Sequence, residues 1–328
     1  MRAAFYERTG PAREVLQLAD LPTPEAGPGE VRVRLATSGV NPSDVKSRAG
    51  LRSKELAFPR IVPHSDGAGV IDAVGAGVPP TRVGERVWVW NAAWKRPFGT
   101  AAQYVVLPSV QAVTLPPGVP FDAGACLGIP ALTALHAVRM DGGVAGRSVL
   151  VTGGAGAVGH YAVQMAKLAG ARQVFATVSS DAKAMLALQA GADQVIDYRH
   201  DDVVSHVLRL TGNEGVDRVI EVDFAANVGA SLAALRPEGD IVVYGSSRQE
   251  IALPFFPAIL KNVRLRFFIV YNLSAADRAA AVEQLTAWLR EGRLQHVVGA
   301  RLPLDSIAEA HELVETGRAA GNVVVQIP

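Results

Sequence analysis

The chain has 328 residues, 49% hydrophobic and 19% charged, enough to bury large cores in two domains and incompatible with global disorder. Its formal net charge of +1 argues against a nucleic-acid binder driven by bulk charge. The one cysteine, Cys126, excludes an internal disulfide framework and a cysteine-rich zinc site, and is compatible with a reducing cytoplasm.

Charges within Met1–Arg8 leave no apolar signal-peptide core. The longest apolar stretch, around Val149–Ala171, is broken by glycines, His160 and Lys167, so no membrane span is expected. Residues 1 to about 120 read as all-β, in short strands such as 31–35, 67–75 and 86–90, punctuated by Pro and Gly clusters. Asp122 is placed to cap a short helix ending near Gly128, and Pro130 to open a second helix running to about Met140.

From Ser148 strand and helix patterns alternate. The β-branched run Ser148–Thr152 leads into Gly154-x-Gly156-x-x-Gly159, followed by a helix pattern from Val158 to Leu168 and a strand at 173–178. A strand, a glycine turn and a helix N-terminus are what a dinucleotide pyrophosphate requires: a tight turn, close approach to the backbone, and free N–H groups at the helix end. Further strands at 194–197, 216–222, 240–244 and 265–270 predict an open parallel α/β sheet. A helix at Ala275–Glu291, a strand at Val297–Leu302, a helix near Ile307–Thr316 and a strand at Asn322–Ile327 close the chain.

An ordered set of fragments carries a resemblance along the whole chain. It includes Ser38-Gly39-Val40-Asn41-Pro42-Ser43-Asp44, Asp66–Gly75, Gly84-Glu85-Arg86-Val87, Gly128–Ala134, the glycine loop, Gly191-Ala192-Asp193, Val242–Ser246 and Gly321-Asn322. The chain resembles the zinc-free quinone oxidoreductases, the zeta-crystallin-like branch of the medium-chain dehydrogenase/reductase superfamily. The resemblance implies a Rossmann doubly wound parallel sheet (122–263, binding NADPH) inserted into a GroES-like β-barrel catalytic domain (1–121 and 264–328). It also implies an active site in the cleft between domains and a homodimer paired through the nucleotide domains.

Zinc-dependent relatives hold the metal at three separated motifs. Those positions read Asn41, Ser65 (with His64 just before it) and a site near Gly128, so no metal is expected, since catalytic zinc needs three protein ligands. His64 reads first as a turn residue hydrogen-bonded locally, and second as a polar group near the active cleft. The strand after the glycine loop ends at Val178-Ser179-Ser180, without the carboxylate that selects NAD, and Asp181 reads as a cap for the next helix. Ser179 and Ser180 can donate to a 2′-phosphate and Lys183 can supply charge. The resemblance adds Tyr198 to that group and favours NADPH.

The resemblance further implies direct hydride transfer to a quinone or another conjugated carbonyl, with Asn41 and Asp44 as catalytic candidates. Asn41 and Pro42 would meet the nicotinamide ribose or substrate carbonyl, and Thr133 the nicotinamide. Ala155, Gly156, Ala157 and Val158 would cradle the pyrophosphate. Val222, Tyr244, Gly245, Ser246, Phe268, Ile269, Val270 and Asn322 would line the rest of the groove. Asp44 also reads as a structural turn carboxylate, and Trp94 and Phe98 as either an aromatic wall or a cover for the barrel. An NADPH-dependent enoyl or alkenal reductase is the alternative. A reading of another class is an NADPH-binding structural or RNA-interacting protein with little turnover, which the near-neutral charge disfavours.

Overall fold

The computed structural model describes residues Met1–Pro328. In chain order the first segment carries β1 (Arg2–Phe5), α1 (Ala12–Val15), β2 (Gln17–Asp20), β3 (Glu30–Val40), α2 (Pro42–Arg48) and β4 (Asp66–Val74). It continues with β5 (Arg86–Val89), β6 (Tyr104–Pro108), β7 (Ala112–Thr114), α3 (Phe121–Gly124) and α4 (Leu132–Arg139). The middle segment carries β8 (Ser148–Val151), α5 (Ala157–Leu168), β9 (Gln173–Val178), α6 (Asp181–Gln189), β10 (Gln194–Asp197) and α7 (Val203–Leu210). Then follow β11 (Val216–Glu221), α8 (Phe224–Ala234), β12 (Leu235–Val243), α9 (Phe255–Leu260) and β13 (Arg264–Phe267). The chain ends with α10 (Ala275–Arg290), β14 (Val298–Pro303), α11 (Ile307–Glu315) and β15 (Asn322–Gln326). No helix is long and apolar enough to cross a membrane.

Two compact units result, Met1–Pro130 with Val282–Pro328, and Ala131–Ala281. The first is a β unit, with a sheet in the order β14-β15-β3-β4-β5-β7, in which β6 pairs with Glu30–Arg34 of β3 and β15 with Thr37–Val40. Strand β3 shows why alternation predicts it: Val31, Val33 and Leu35 are buried, whereas Arg32 lies between them and pairs with Asp72 at 2.9 Å. The C-terminal strand β15 runs antiparallel to β3, with Val323 opposite Val40.

The second unit holds a six-stranded parallel sheet in the order β10-β9-β8-β11-β12-β13. Strand β8 is buried at every position, as a strand covered on both faces must be. Phe175, Phe224, Ile196 and Leu232 anchor its core, and each large apolar side chain fully removed from water contributes roughly 1.5–3 kcal/mol. Buried charges on β11 are matched: Arg218 pairs with Asp240, and Asp217 accepts from the N–H and hydroxyl of Ser148 at 2.6 and 2.8 Å.

Several expectations need correction. Residues 1–120 are not all-β, because Asn41-Pro42-Ser43-Asp44 starts α2, with Pro42 at its first position and the Asp44 carboxylate accepting the Asn41 N–H at 2.8 Å. Pro120, not Asp122, precedes α3, which stops at Gly124. Pro130 lies inside a π-turn, Leu127–Ala131, before α4 begins. The cap of α6 is Ser180, whose hydroxyl accepts the Lys183 N–H, and Asp181 is the first helical residue. The domain boundaries shift as well. Strand β13, assigned to the catalytic domain, pairs in parallel with β12 and completes the nucleotide-domain sheet, and the later boundary falls within α10.

Candidate active site

In the parallel-sheet unit the chain order of the strands reverses between β8 and β11, and ligands of such sheets bind outside the carboxyl ends at that switch point. The glycine turn leaves β8 there. Its left-handed residue is Gly153 (φ +67°), one position before the motif's first glycine. Gly153 N–H donates to Thr177 Oγ1 at 3.0 Å and Gly154 N–H to the Thr177 carbonyl at 2.9 Å, which pins the turn to β9. A Cβ at Gly159 would stand 2.1 Å from the Gly153 carbonyl oxygen, so the third glycine closes helix onto turn. Gly156 is the N-cap of α5, and the first-turn N–H groups at Ala157 and Val158 have no intrahelical acceptors.

Next to this turn, Glu221 ends β11 as a fully buried carboxylate without a cationic partner. Four donors satisfy it: Thr152 Oγ1 at 2.9 Å, the Asp223 N–H at 2.7 Å, Asn227 Nδ2 at 2.9 Å and Ser231 Oγ at 2.7 Å. Sequence reasoning missed Glu221. The available signal was a charge closing an otherwise apolar run, Val219-Ile220-Glu221.

At the end of β9, Lys183 Nζ donates to the buried Ser179 Oγ at 3.2 Å. Ser180, as the α6 cap, keeps its own O–H proton to donate. Tyr198 is exposed, and its N–H donates to the Val178 carbonyl, which brings it to the same strand end. The exposed Val222 and Gly245 meet after β11 and β12, where a Cβ at Gly245 would stand 2.1 Å from the Val222 carbonyl oxygen. Tyr244, Gly245, Ser246, Phe268 and Ile269 line a cavity of about 660 Å³ together with His136, whose ring meets Phe268 edge-on at 4.8 Å. The Tyr244 hydroxyl is buried and makes no hydrogen bond within the chain. Val270 and Thr133 are buried.

The remaining predicted residues lie in the β unit. Asn41 and Asn322 stand one step beyond the Val323–Val40 pair, so β3 and β15 bring them together. The Asn322 amide is engaged, donating to the Val297 carbonyl at 3.0 Å. Asn41 Nδ2 donates to Asp66 Oδ2 at 2.8 Å in a buried contact. Burial pushes the Asp44 carboxyl up to about 7, against the opposing hydrogen bond from Asn41. His64 is not bonded locally. It holds φ +77°, its Nδ1 meets Ser38 Oγ at 2.8 Å, and its Nε2 meets Nε2 of the distant His311 at 2.9 Å.

These positions do not fit a catalytic zinc. Both His64 nitrogens are engaged, Asn41 turns its amide nitrogen to a carboxylate, and a side chain at Gly128 would run into Asp66 Oδ1 at 2.2 Å. No group of three or more His, Cys, Asp or Glu side chains is placed to hold a metal. A nicotinamide dinucleotide does fit the other unit. The glycine turn leaves the space that a Cβ would fill, and the Tyr244 hydroxyl waits for a partner in the lining of the groove.

A switch-point glycine turn on a parallel sheet, carried with a GroES-like β unit, defines a medium-chain dehydrogenase/reductase. Residues 27–117 match the alcohol dehydrogenase GroES-like domain and 157–289 the zinc-binding dehydrogenase family. Quinone oxidoreductase of Pongo abelii is 31% identical over 98% of this chain and 95% of its own length. Among solved structures, an NAD-dependent alcohol dehydrogenase is 34% identical with a TM-score of 0.92, covering 100% of both chains. The Escherichia coli quinone oxidoreductase complexed with NADPH is 25% identical with a TM-score of 0.88, covering 99% of this chain and 100% of that one. The chain belongs to the quinone oxidoreductase family of the medium-chain dehydrogenase/reductase superfamily.

Proposed function

We propose that this protein is an NADPH-dependent quinone reductase that transfers hydride without a metal, in the cytoplasm. The observation that carries the cofactor choice is the end of β9, which offers the Ser179 hydroxyl and the Lys183 ammonium where an NAD site offers a carboxylate. The quinone oxidoreductase relatives support the acceptor class, and the misfit of the zinc positions supports metal-free transfer.

The bound NADPH would supply a hydride from its nicotinamide ring to a quinone or related conjugated carbonyl. The chain's part is to bind and orient. The α5 N-terminus and Ala155–Val158 would hold the pyrophosphate, and Ser179, Ser180, Lys183 and Tyr198 the 2′-phosphate. Val222, Tyr244, Gly245, Ser246, Phe268, Ile269 and Val270 would line the groove, with Thr133 at the nicotinamide. Asn41, Pro42 and Asn322 would contribute from the β unit. Asp44, with its carboxyl raised to about 7, would hold a proton at neutral pH for the reduced oxygen of the substrate.

We also propose a homodimer paired through the parallel-sheet unit. Strand β13 pairs on one side only, and Phe255, Phe256, Ile259, Leu260 and Phe267 around it are exposed, an apolar face that water disfavours.

The test is the loss of NADPH absorbance with 9,10-phenanthrenequinone, with NADH and an alkenal run in parallel and no metal added. Fast quinone-dependent oxidation of NADPH is expected. Preference for the alkenal would move the reading to an enoyl or alkenal reductase, and preference for NADH would reverse the cofactor assignment.

A further inference from the structure

We infer that Asp66 is a positioning residue, whose carboxylate sets the orientation of the Asn41 amide. The inference rests on the proposed contact between Asn41 and the cofactor. Asp66 opens β4 and is fully buried. Its Oδ2 accepts Asn41 Nδ2 at 2.8 Å and the Ile129 N–H at 2.9 Å. A terminal amide has two nearly isosteric orientations, and a carboxylate, which only accepts, selects the one with nitrogen inward. Asn41 Oδ1 is therefore held at the opposite end.

Asp66 is itself held. Thr100 Oγ1 donates to its carbonyl, Ser38 Oγ lies 2.7 Å from Thr100 Oγ1, and Ser38 meets His64, which meets His311. Because the one Thr100 proton goes to Asp66, Ser38 must donate to Thr100, His64 Nδ1–H to Ser38, and His311 Nε2–H to His64. The chain of donors has a single direction and ends on Asp66. Gly128 leaves the room that the carboxylate needs, since a Cβ there would lie 2.2 Å from Asp66 Oδ1.

The test uses the full chain as N41A, D66A, N41A/D66A, D66N and the exchange N41D/D66N. NADPH Kd from quenching of tryptophan fluorescence, thermal midpoint, and kcat and KM with 9,10-phenanthrenequinone are read on each. N41A and D66A are expected to weaken NADPH by a similar factor, about tenfold, and the double variant no further. D66N keeps an amide oxygen that can accept from both Asn41 and the Ile129 N–H, and is expected to retain most of the affinity. The exchange rebuilds a carboxylate–amide hydrogen bond in reverse order. It is expected to recover part of the thermal midpoint but neither affinity nor kcat. Losses that multiply in N41A/D66A, or an exchange that restores affinity and turnover, would overturn the inference while leaving the Asn41 contact standing. An N41A variant with unchanged affinity and turnover would instead refute that contact, and with it the role of Asp66. If D66A does not fold, the exchange variant decides, and if no quinone is turned over, the Kd values decide.

Discussion

The Nε2 atoms of His64 and His311 lie 2.9 Å apart in a pair closed off from solvent. Burial holds His64 down at about 3 and His311 well below its usual range, and His160, buried in α5, sits at about 4. In the unfolded chain all of these titrate near 6.5. Between the two values the unfolded chain binds protons that the folded one refuses, so stability is full above about 6.5 and is lost as pH falls toward 3. Asp44 works in the opposite sense. Raised to about 7, its contribution is present below the ordinary carboxylate pKa of about 3.9 and is lost as pH rises through 7. The histidines outnumber it, so urea unfolding at pH 5 should give a lower stability than at pH 7.5. In D44N the opposing contribution is gone, and the gain from pH 5 to 7.5 should be larger, by up to about 1.4 kcal/mol per pH unit. An equal gain in both proteins would mean that Asp44 is ionised when folded.

Gly159→Ala should disable the dinucleotide turn. Its Cβ would stand 2.1 Å from the Gly153 carbonyl oxygen, and backbone on both sides gives neither atom a cheap escape. A stability loss of about 1–3 kcal/mol is expected, together with NADPH binding weakened at least tenfold, both readable by titration and thermal unfolding.

Removal of the Glu221 carboxylate should be costly in proportion to the donors it strands. In E221A, Asn227, Ser231 and the Asp223 N–H lose the acceptor they have here, and Thr152 Oγ1 is left with the Ile220 carbonyl at 3.2 Å. About 3 kcal/mol or more should be lost, and E221Q, which keeps one acceptor oxygen, should lose less. Calorimetric midpoints that rank E221Q below E221A would contradict this account.

Coenzyme choice should follow position 179. In S179D a carboxylate replaces the hydroxyl that Lys183 meets, so it repels a 2′-phosphate and can accept from a ribose hydroxyl. The ratio of kcat/KM for NADPH to that for NADH is expected to fall about tenfold or more, and an unchanged ratio would place the 2′-phosphate elsewhere.

A charge on the apolar face beside β13 should separate the proposed dimer. Phe256 is 72% and Leu260 79% exposed in the single chain. The F256E/L260E variant should sediment as a monomer with its thermal unfolding still cooperative. A wild-type protein that is already monomeric at micromolar concentration would remove the dimer from the reading.

The parallel-sheet unit was largely legible because its signals are local. An apolar run fully buried in a sheet, a glycine turn and a capped helix each report themselves within about ten residues. The β unit was less so, because what fixes its site is paired across long stretches of chain. Asp66 meets Asn41 and Ile129, and His64 meets His311. Nothing in the residues flanking His64 announces a partner in α11. Pro130 misled for a related reason: proline favours a first helical turn, but the π-turn at Leu127–Ala131 carries it inside, where its missing N–H is tolerated. The Asn41-Pro42-Ser43-Asp44 run carries a cap pattern and the catalytic candidates in the same four residues, and only the backbone shows that it starts a helix.

The place of β15 sets an order of events during synthesis. The strand fills the gap between β14 and β3, so β14 stays off the sheet and the Thr37–Val40 edge of β3 stays unpaired until residues 322–326 have left the ribosome. By then residues 131–281, which close their own parallel sheet without help from either end, are already outside. At 5–20 residues per second the β3 edge waits roughly 15–60 seconds for its neighbour. The nascent chain therefore carries a folded nucleotide unit while one end of β3 still waits for the last strand, and loss of a few C-terminal residues would be felt at Thr37–Val40, far back in the chain.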